Sequence, residues 1–349
     1  MDWGRGYGSL WRVYRVDEST WADAGAMGGV TAISVERDDG ESNPLMESGT
    51  FTVDSQPTDA FEAGYYRIVL YATQDGATER VDVATLYCQS AHRDTERGRS
   101  AHEVTGDSVL YPASVRQLAV GSYFPEGAGC MAEAARLLRQ CLRAPVTVDD
   151  AADPTLASHV VFDAGTTALD AVRMVLGACG CAMQVHGDGT VHLMRRPTEV
   201  SLVLDRANAR LLEPLVRSDY DLSGVPNRYY ARQGEFLEVA TNEDPASDSG
   251  HPKRGFWHDE YDEGPVRVDG ETLHGYACRR LEEMSVVRDT RTYTRKWWPG
   301  VHPCGVVRGS MPSVSLDGDM RVVRQSVDCS HGISVTEEAA REVALWTRA

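Results

Sequence analysis

The sequence predicts an α+β fold that is mainly β, with two β-barrel-like domains over residues 1–107 and 198–349 flanking a small α/β module over 108–197. Three observations predict it. Runs of β-branched and aromatic residues bounded by turn residues fill the first part of the chain and return after residue 200. Between them lie two apolar stripes at helical spacing. A strand–turn–strand pattern then closes the middle segment.

In the first domain, Val30-Thr31-Ala32-Ile33-Ser34-Val35 and Tyr65-Tyr66-Arg67-Ile68-Val69-Leu70-Tyr71 are the strand-forming runs. Asp38-Asp39-Gly40, Asn43-Pro44 and Gln56-Pro57 punctuate them. Short strands at this spacing make a barrel or a sandwich. Residues 91–107, with His92, Arg93, Asp94, Arg97, Gly98 and Arg99, are polar and read as a linker or crossing loop.

The module carries one stripe at Cys130, Ala134, Leu137, Leu138, Cys141 and Leu142 and a second at Leu169, Val172, Val175, Leu176 and Cys179. Thr167-Ala168-Leu169-Asp170 opens the second helix as a box-like N-terminus, and Gly180 closes it. Ala182-Met183-Gln184-Val185-His186 and Thr190-Val191-His192-Leu193-Met194 flank Gly187-Asp188-Gly189, a tight-turn signal. After Pro197 the pattern is β again, at Ser201–Leu204 and Arg228–Arg232. Residues 242–265 form a polar, acidic segment that is either a contacting surface loop or a mobile one. Asp269 is placed to cap a helix carrying Leu273, Tyr276, Ala277, Arg280, Leu281 and Met284. Strands resume over 290–335, with Asp317-Gly318-Asp319 as a turn before Met320.

The formal net charge of −17 excludes a basic, phosphate-gripping role. It serves solubility. Residues 235–271 alone hold eleven Asp or Glu against three Lys or Arg. No apolar run reaches the roughly 18 residues a bilayer requires, and Met1-Asp2-Trp3-Gly4-Arg5 lacks the pattern of a signal peptide. The eight cysteines include no CxxC pair, so buried reduced thiols are expected rather than zinc or a disulfide framework.

No active-site motif emerges. Glu260, Asp262 and Glu263 cluster with Trp257 and Tyr261, a composition that suits sugar rings but that many acids produce by chance. GxSxG and HExxH are absent. Gly4-Arg5-Gly6-Tyr7-Gly8 lacks the strand and the ending of a phosphate loop. His186 and His192 could pair across the hairpin, yet no third ligand is evident, and solvent-facing positions are expected for them. No enzyme activity, cofactor or metal is therefore expected. In Trp297-Trp298-Pro299-Gly300, adjacent strand positions point to opposite faces, so one Trp can be core while the other anchors an interface. Trp257 is a further interface position. Trp3, Tyr7 and Trp11 are read as packing on their own domain or on a neighbouring chain.

Several phrases resemble the hub, or tail-tip, proteins of bacteriophage tails and related contractile injection machines. They are Gly165-Thr166-Thr167-Ala168-Leu169, Gly180-Cys181-Ala182-Met183, Asp188-Gly189-Thr190-Val191, Val225-Pro226-Asn227-Arg228-Tyr229-Tyr230 and Asn242-Glu243-Asp244-Pro245-Ala246-Ser247, with a helix over 271–284. The resemblance implies a non-enzymatic structural protein of the virion tail, assembled in the host cytoplasm. It implies a homotrimer forming a pseudo-sixfold ring. Such a ring would join the tail tube or distal tail ring to a spike, fibre or tape-measure protein and let DNA pass. Under that reading the acidic charge keeps a channel from holding DNA. Two other readings stay open: a tail-associated cell-wall or polysaccharide hydrolase, and a carbohydrate-binding virion protein.

Overall fold

The computed structural model describes residues 1–41, 43–55, 61–96, 99–149, 153–205, 211–215, 222–312, 316–329 and 333–347. The expected turn at Gln56-Pro57 and the expected loop residues Arg97 and Gly98 lie outside them. The chain is mainly β, as the sequence predicts. Thirteen strands join in one sheet. Its path runs from Leu211–Leu215 through Val286–Lys296, Ser334–Ala344, Leu316–Asp328, Val30–Asp38 and Glu47–Ser55. It continues through Arg99–Ser108, Ala77–Glu96, Gly64–Gln74 and Gly8–Val16 to Asp23–Ala26. Val306–Met311 branches from Leu316–Asp328 and carries Val200–Leu204. Among the described residues no ladder closes either part on itself, and Val30–Asp38 pairs with Leu316–Asp328 to join the strands before and after the α/β module. No described helix is long and apolar enough to cross a membrane.

Strand Gly64–Gln74 shows why its sequence is a continuous apolar run. Tyr65 faces the core of the α/β module while Tyr66, Ile68 and Leu70 face the core of the sheet, so both faces are buried. The polar stretch 91–107 is not a linker. It lies in the hairpin Ala77–Glu96 and Arg99–Ser108, where Ala91 opposes Val104 and Arg93 opposes His102. Only one residue in two faces the core there, which makes the stretch look like loop in sequence.

Both apolar stripes form helices, Cys130–Cys141 and Ala168–Ala178, and the expected hairpin is Cys181–Val185 with Val191–Arg195. Thr167 caps the second helix by accepting from the Asp170 backbone N–H at 3.1 Å, and Gly180 leaves it at φ +65°. The first helix has no capping side chain of its own. The carboxylate of Asp153 accepts from the N–H groups of Met131 and Ala132 at 2.7 and 3.0 Å instead. Gly129 makes room for it, since a Cβ there would lie 2.1 Å from that carboxylate. All eight cysteines carry free thiols, and seven are buried. Burial pushes the Cys88 and Cys304 thiols up to about 12.

The hairpin turn is docked rather than solvated. Trp21 Nε1 and Arg67 Nη2 donate to the Asp188 carbonyl at 2.8 and 3.0 Å, and Thr85 Oγ1 donates to that of Gly187 at 2.8 Å. His186 and His192 are therefore half-buried, not solvent-facing, and His186 stacks on His302 at 5.4 Å with 9° between the rings. Three further expectations are corrected. Thr272, not Asp269, caps helix Leu273–Met284, because only its side chain reaches the Gly275 N–H, at 3.0 Å. Asp317-Gly318-Asp319 lies inside strand Leu316–Asp328, paired in unbroken register with Arg308-Gly309-Ser310 although its Gly is at φ +87°, so it is strand and not a turn. The segment 242–265 is not loop throughout, since it holds the short helix His251–Arg254 and the strand Asp259–Glu263.

Where the sheet joins its two ends, directly opposed residues form a buried polar row across five strands: Glu47, Arg37, Gln325, Glu337 and Tyr293. None is more than 3% exposed. Arg37 Nε donates to Glu47 at 3.1 Å, Gln325 Nε2 to Glu337 at 3.0 Å, and the Tyr293 hydroxyl to Glu337 at 2.5 Å. Arg295, fully buried, pairs with Glu337 at 2.5 Å.

Two predictions follow from this packing. A Cβ at Gly187 would sit 1.8 Å from the Asp82 carbonyl oxygen, whereas Gly224 has open space. Gly187→Ala is expected to cost about 1–3 kcal/mol or more in chemical denaturation, and Gly224→Ala to stay within about 0.5 kcal/mol. The second concerns pH. Burial pushes Glu47 up to about 7 from 4.5, so its contribution to stability falls as pH rises through that interval. Part of His302 reaches solvent, yet burial of its ring and the nearby Arg37 pull it down from 6.5 to about 3, so stability is lost as pH falls below 6.5. Between about pH 4.5 and 6.5 the two slopes oppose each other. Glu47→Gln should leave a stability that rises with pH there, and His302→Gln one that falls. Urea midpoints across the window check both signs, and three identical profiles would contradict them.

Candidate assembly surface

Beside the large sheet stands a smaller layer built from Arg228–Gln233, Phe236–Thr241 and Asp259–Glu263, with the first strand central. Strand alternation gives it two chemically different faces. Tyr229, Ala231 and Ala240 point toward helix Leu273–Met284 and pack on its Tyr276, Ala277, Cys278 and Leu281. Asp262 belongs to that side, accepting from the hydroxyls of Tyr229 at 3.2 Å and Tyr276 at 2.5 Å. Burial, together with this bond, pushes the Tyr276 phenol up.

The other face carries no element of this chain over it among the described strand contacts. Its register sets three rows: Thr241–Arg228–Asp259, Val239–Tyr230–Tyr261 and Leu237–Arg232–Glu263. Leu237 and Tyr261 are each 53% exposed, and Phe236 at the hairpin tip is 76% exposed. Arg228 grips Asp259 through two bonds of 2.7 and 2.6 Å, which holds that carboxyl below the usual range. The same guanidinium lies over the rings of Tyr230, at 5.2 Å, and Trp257, at 4.7 Å. His251 stacks against Trp257 at 4.0 Å. Tyr, Trp and Arg on one flat surface, with apolar residues along one margin and acids along the other, is the composition of an interface anchor.

Two buried asparagines hold the loop between these strands. Asn242 Nδ2 donates to Ser247 and Ser249 at 2.9 and 3.0 Å, and its carbonyl accepts from the His251 N–H at 2.9 Å. Asn227 Nδ2 donates to the Phe256 carbonyl at 3.0 Å and its Oδ1 accepts from the His258 N–H at 2.8 Å. The polar segment is thus tied at both ends by side-chain bonds to its backbone and hydroxyls. Its charged residues sit outside a fixed backbone.

The structure separates the three tryptophans marked in the sequence. Trp297 is inside the chain's own core, 3% exposed, with the Arg37 guanidinium 5.7 Å above its ring. Trp298 is half-buried between the cores of the two ends of the sheet. Trp257 flanks the open face with its ring in contact with His251 and Arg228. Of the acidic cluster, Asp262 and Glu263 are bonded to neighbouring elements, the latter to Arg232 at 3.5 Å, and Glu260 lies in register with Tyr229 on the helix side. Sequence reasoning missed Tyr230, Phe236 and Leu237. The signal for them was the alternation on either side of Gly234-Glu235, which marks a hairpin with apolar residues at its tip. It also missed a second exposed apolar patch, Tyr123 and its cross-strand partner Val161 with Val120, which is 87% exposed.

No family model matches the chain, and no curated protein matches it. Solved structures do. A tail protein from Neisseria meningitidis MC58 superposes with a TM-score of 0.67 at 15% identity, covering 96% of this chain and 97% of that one. The 43 kDa tail protein of prophage MuSo2 from Shewanella oneidensis gives 0.62 at 12% identity, covering 96% and 98%. An E. coli component of the type VI secretion system, described as structurally similar to T4 bacteriophage tail proteins gp27 and gp5, gives 0.53 at 10%, covering 92% and 76%. At these identities the likeness is one of fold, and it extends over nearly the whole chain.

Asn227→Ala leaves the Phe256 carbonyl and the His258 N–H without their partner. It is expected to cost about 2 kcal/mol or more and to open residues 242–258 to limited proteolysis, read by mass spectrometry of the first cleavage products.

Proposed function

We propose that this chain is a structural hub of a phage or prophage tail. Three copies form a ring at the tail tip that joins the tail tube or distal ring to a spike, fibre or tape-measure protein, with DNA passing through. Residues 1–107 and 198–349 supply the ring-forming β-domains and 108–197 the module between them. The protein is assembled in the host cytoplasm and resides in the virion tail. The observation that carries this reading is the full-length likeness of fold to two tail proteins, reached alongside independent sequence phrases spread over residues 165–284. The open face of the small sheet, with Trp257 and the half-buried Trp298, is the proposed contact surface. Protein contact suits it better than sugar stacking, because the Trp257 ring is already engaged by His251 and Arg228. The engaged acids Asp262 and Glu263 favour structure over hydrolysis.

Electron microscopy of the purified chain at micromolar concentration, with and without tail-tube protein, tests the proposal. Threefold rings with an open centre are expected. Monomers that persist with the tube partner present would overturn it. Leu237→Asp should reduce the assembled fraction about tenfold or more with an unchanged thermal transition, because Leu237 is exposed in the single chain.

A further inference from the structure

We infer that the junction of the three parts of this chain is a binding site for one structural water, held by Arg37, Glu47 and His302. A cavity of about 10 Å³ lies where the strands before the module, the module's hairpin and the segment after Lys296 meet. Its walls include Arg37 and Glu47 from the first part, Gln184 and Val185 from the hairpin, and His302 and Pro303 from the last. Three buried polar atoms of these walls have no hydrogen-bond partner: Arg37 Nη1, Glu47 Oε2 and His302 Nδ1. Arg37 and Glu47 are 3% and 1% exposed, so bulk solvent does not serve them. Leaving such atoms unpaired costs about 1–3 kcal/mol each, and native interiors avoid that by a partner or a bound water.

The chemistry of the three atoms matches a water and little else. Arg37 can only donate. Glu47 Oε2 accepts when the carboxyl is ionised and can donate when it is protonated. His302 Nδ1 donates or accepts according to its tautomer. A water both donates and accepts, so it can serve all three in either protonation state, through the three bonds usual for a buried water. The volume is about that of one water and too small for a larger ligand. The site stands beside two direct contacts between the hairpin and the last part, Gln184 Nε2 to the Pro303 carbonyl at 3.0 Å and the stacked pair His186–His302. The water would extend that joint to the first part and fix all three parts to one another.

A crystal structure of the full chain at a resolution that shows ordered solvent tests this. One peak within hydrogen-bond distance of all three atoms is expected. A direct bond from Arg37 Nη1 to Glu47 Oε2 with no peak, or a side chain filling the cavity, would overturn it. Oxygen-17 relaxation dispersion of water in solution supplies a second readout. Val185→Leu fills the cavity and should leave one long-lived water fewer than the wild type; an unchanged number would contradict the site.

Discussion

The buried polar row Glu47–Arg37–Gln325–Glu337–Tyr293 is the constraint on which the rest of the structure depends. It crosses the pairing of Val30–Asp38 with Leu316–Asp328, which among the described residues makes a single sheet of strands from opposite ends of the chain. Desolvating its two carboxylates and the guanidinium of Arg37, with that of Arg295 beside Glu337, is expensive, and the cost is offset only if every partner is in register. A slip of one residue would turn the row to the other face and bring its neighbours inward. Removing one member of such a pair costs about 3–5 kcal/mol, because the partner is left buried and uncompensated. The row thus specifies one register where apolar residues alone would tolerate several.

From that seam the remaining parts are placed by contacts of a different kind. The α/β module meets the sheet through backbone carbonyls at its hairpin turn, which accept from Trp21, Arg67 and Thr85. Gly187 and Gly189 are required there because the turn approaches strand Ala77–Glu96 more closely than a side chain allows. The small sheet is fixed by its own helix on one face and by Asn227 and Asn242 at its loop. Held in this way, the small sheet presents an unpaired face of aromatic, arginine and apolar residues among the described residues. That is what a repeated assembly needs, since a mobile surface would lose its ordering entropy at every contact.

Much of the module and little of the surface was legible in the sequence. The stripes at Cys130–Leu142 and Leu169–Cys179 are local in origin, and helical periodicity reports burial directly. Thr167 and Gly180 are local signals too. The acids at 259–263 were visible as a cluster, but whether they converge on a substrate or bind Arg228, Arg232, Tyr229 and Tyr276 depends on neighbours that lie up to 33 residues away. Trp297 and Trp298 were marked together, and only the fold put the first into the core and left the second partly open. Residues 91–107 misled because the buried positions described there, Ser100, His102, Val104 and Gly106, include a single aliphatic side chain, which leaves almost no hydrophobic signal.

The sequence by itself determined the order of the parts, mainly β around a small α/β module, together with the helices, the tight turn and the reduced state of the cysteines. These follow from local chemistry: side-chain periodicity, φ-permissive glycines and apolar surroundings. Only the tertiary structure decided that the two β parts are one sheet, that a polar row runs through its seam, and that the face bearing Tyr230, Leu237 and Tyr261 is the one left open. The physical reason is that register and exposure are properties of pairs distant in sequence, fixed by which strands meet and not by what any one strand contains.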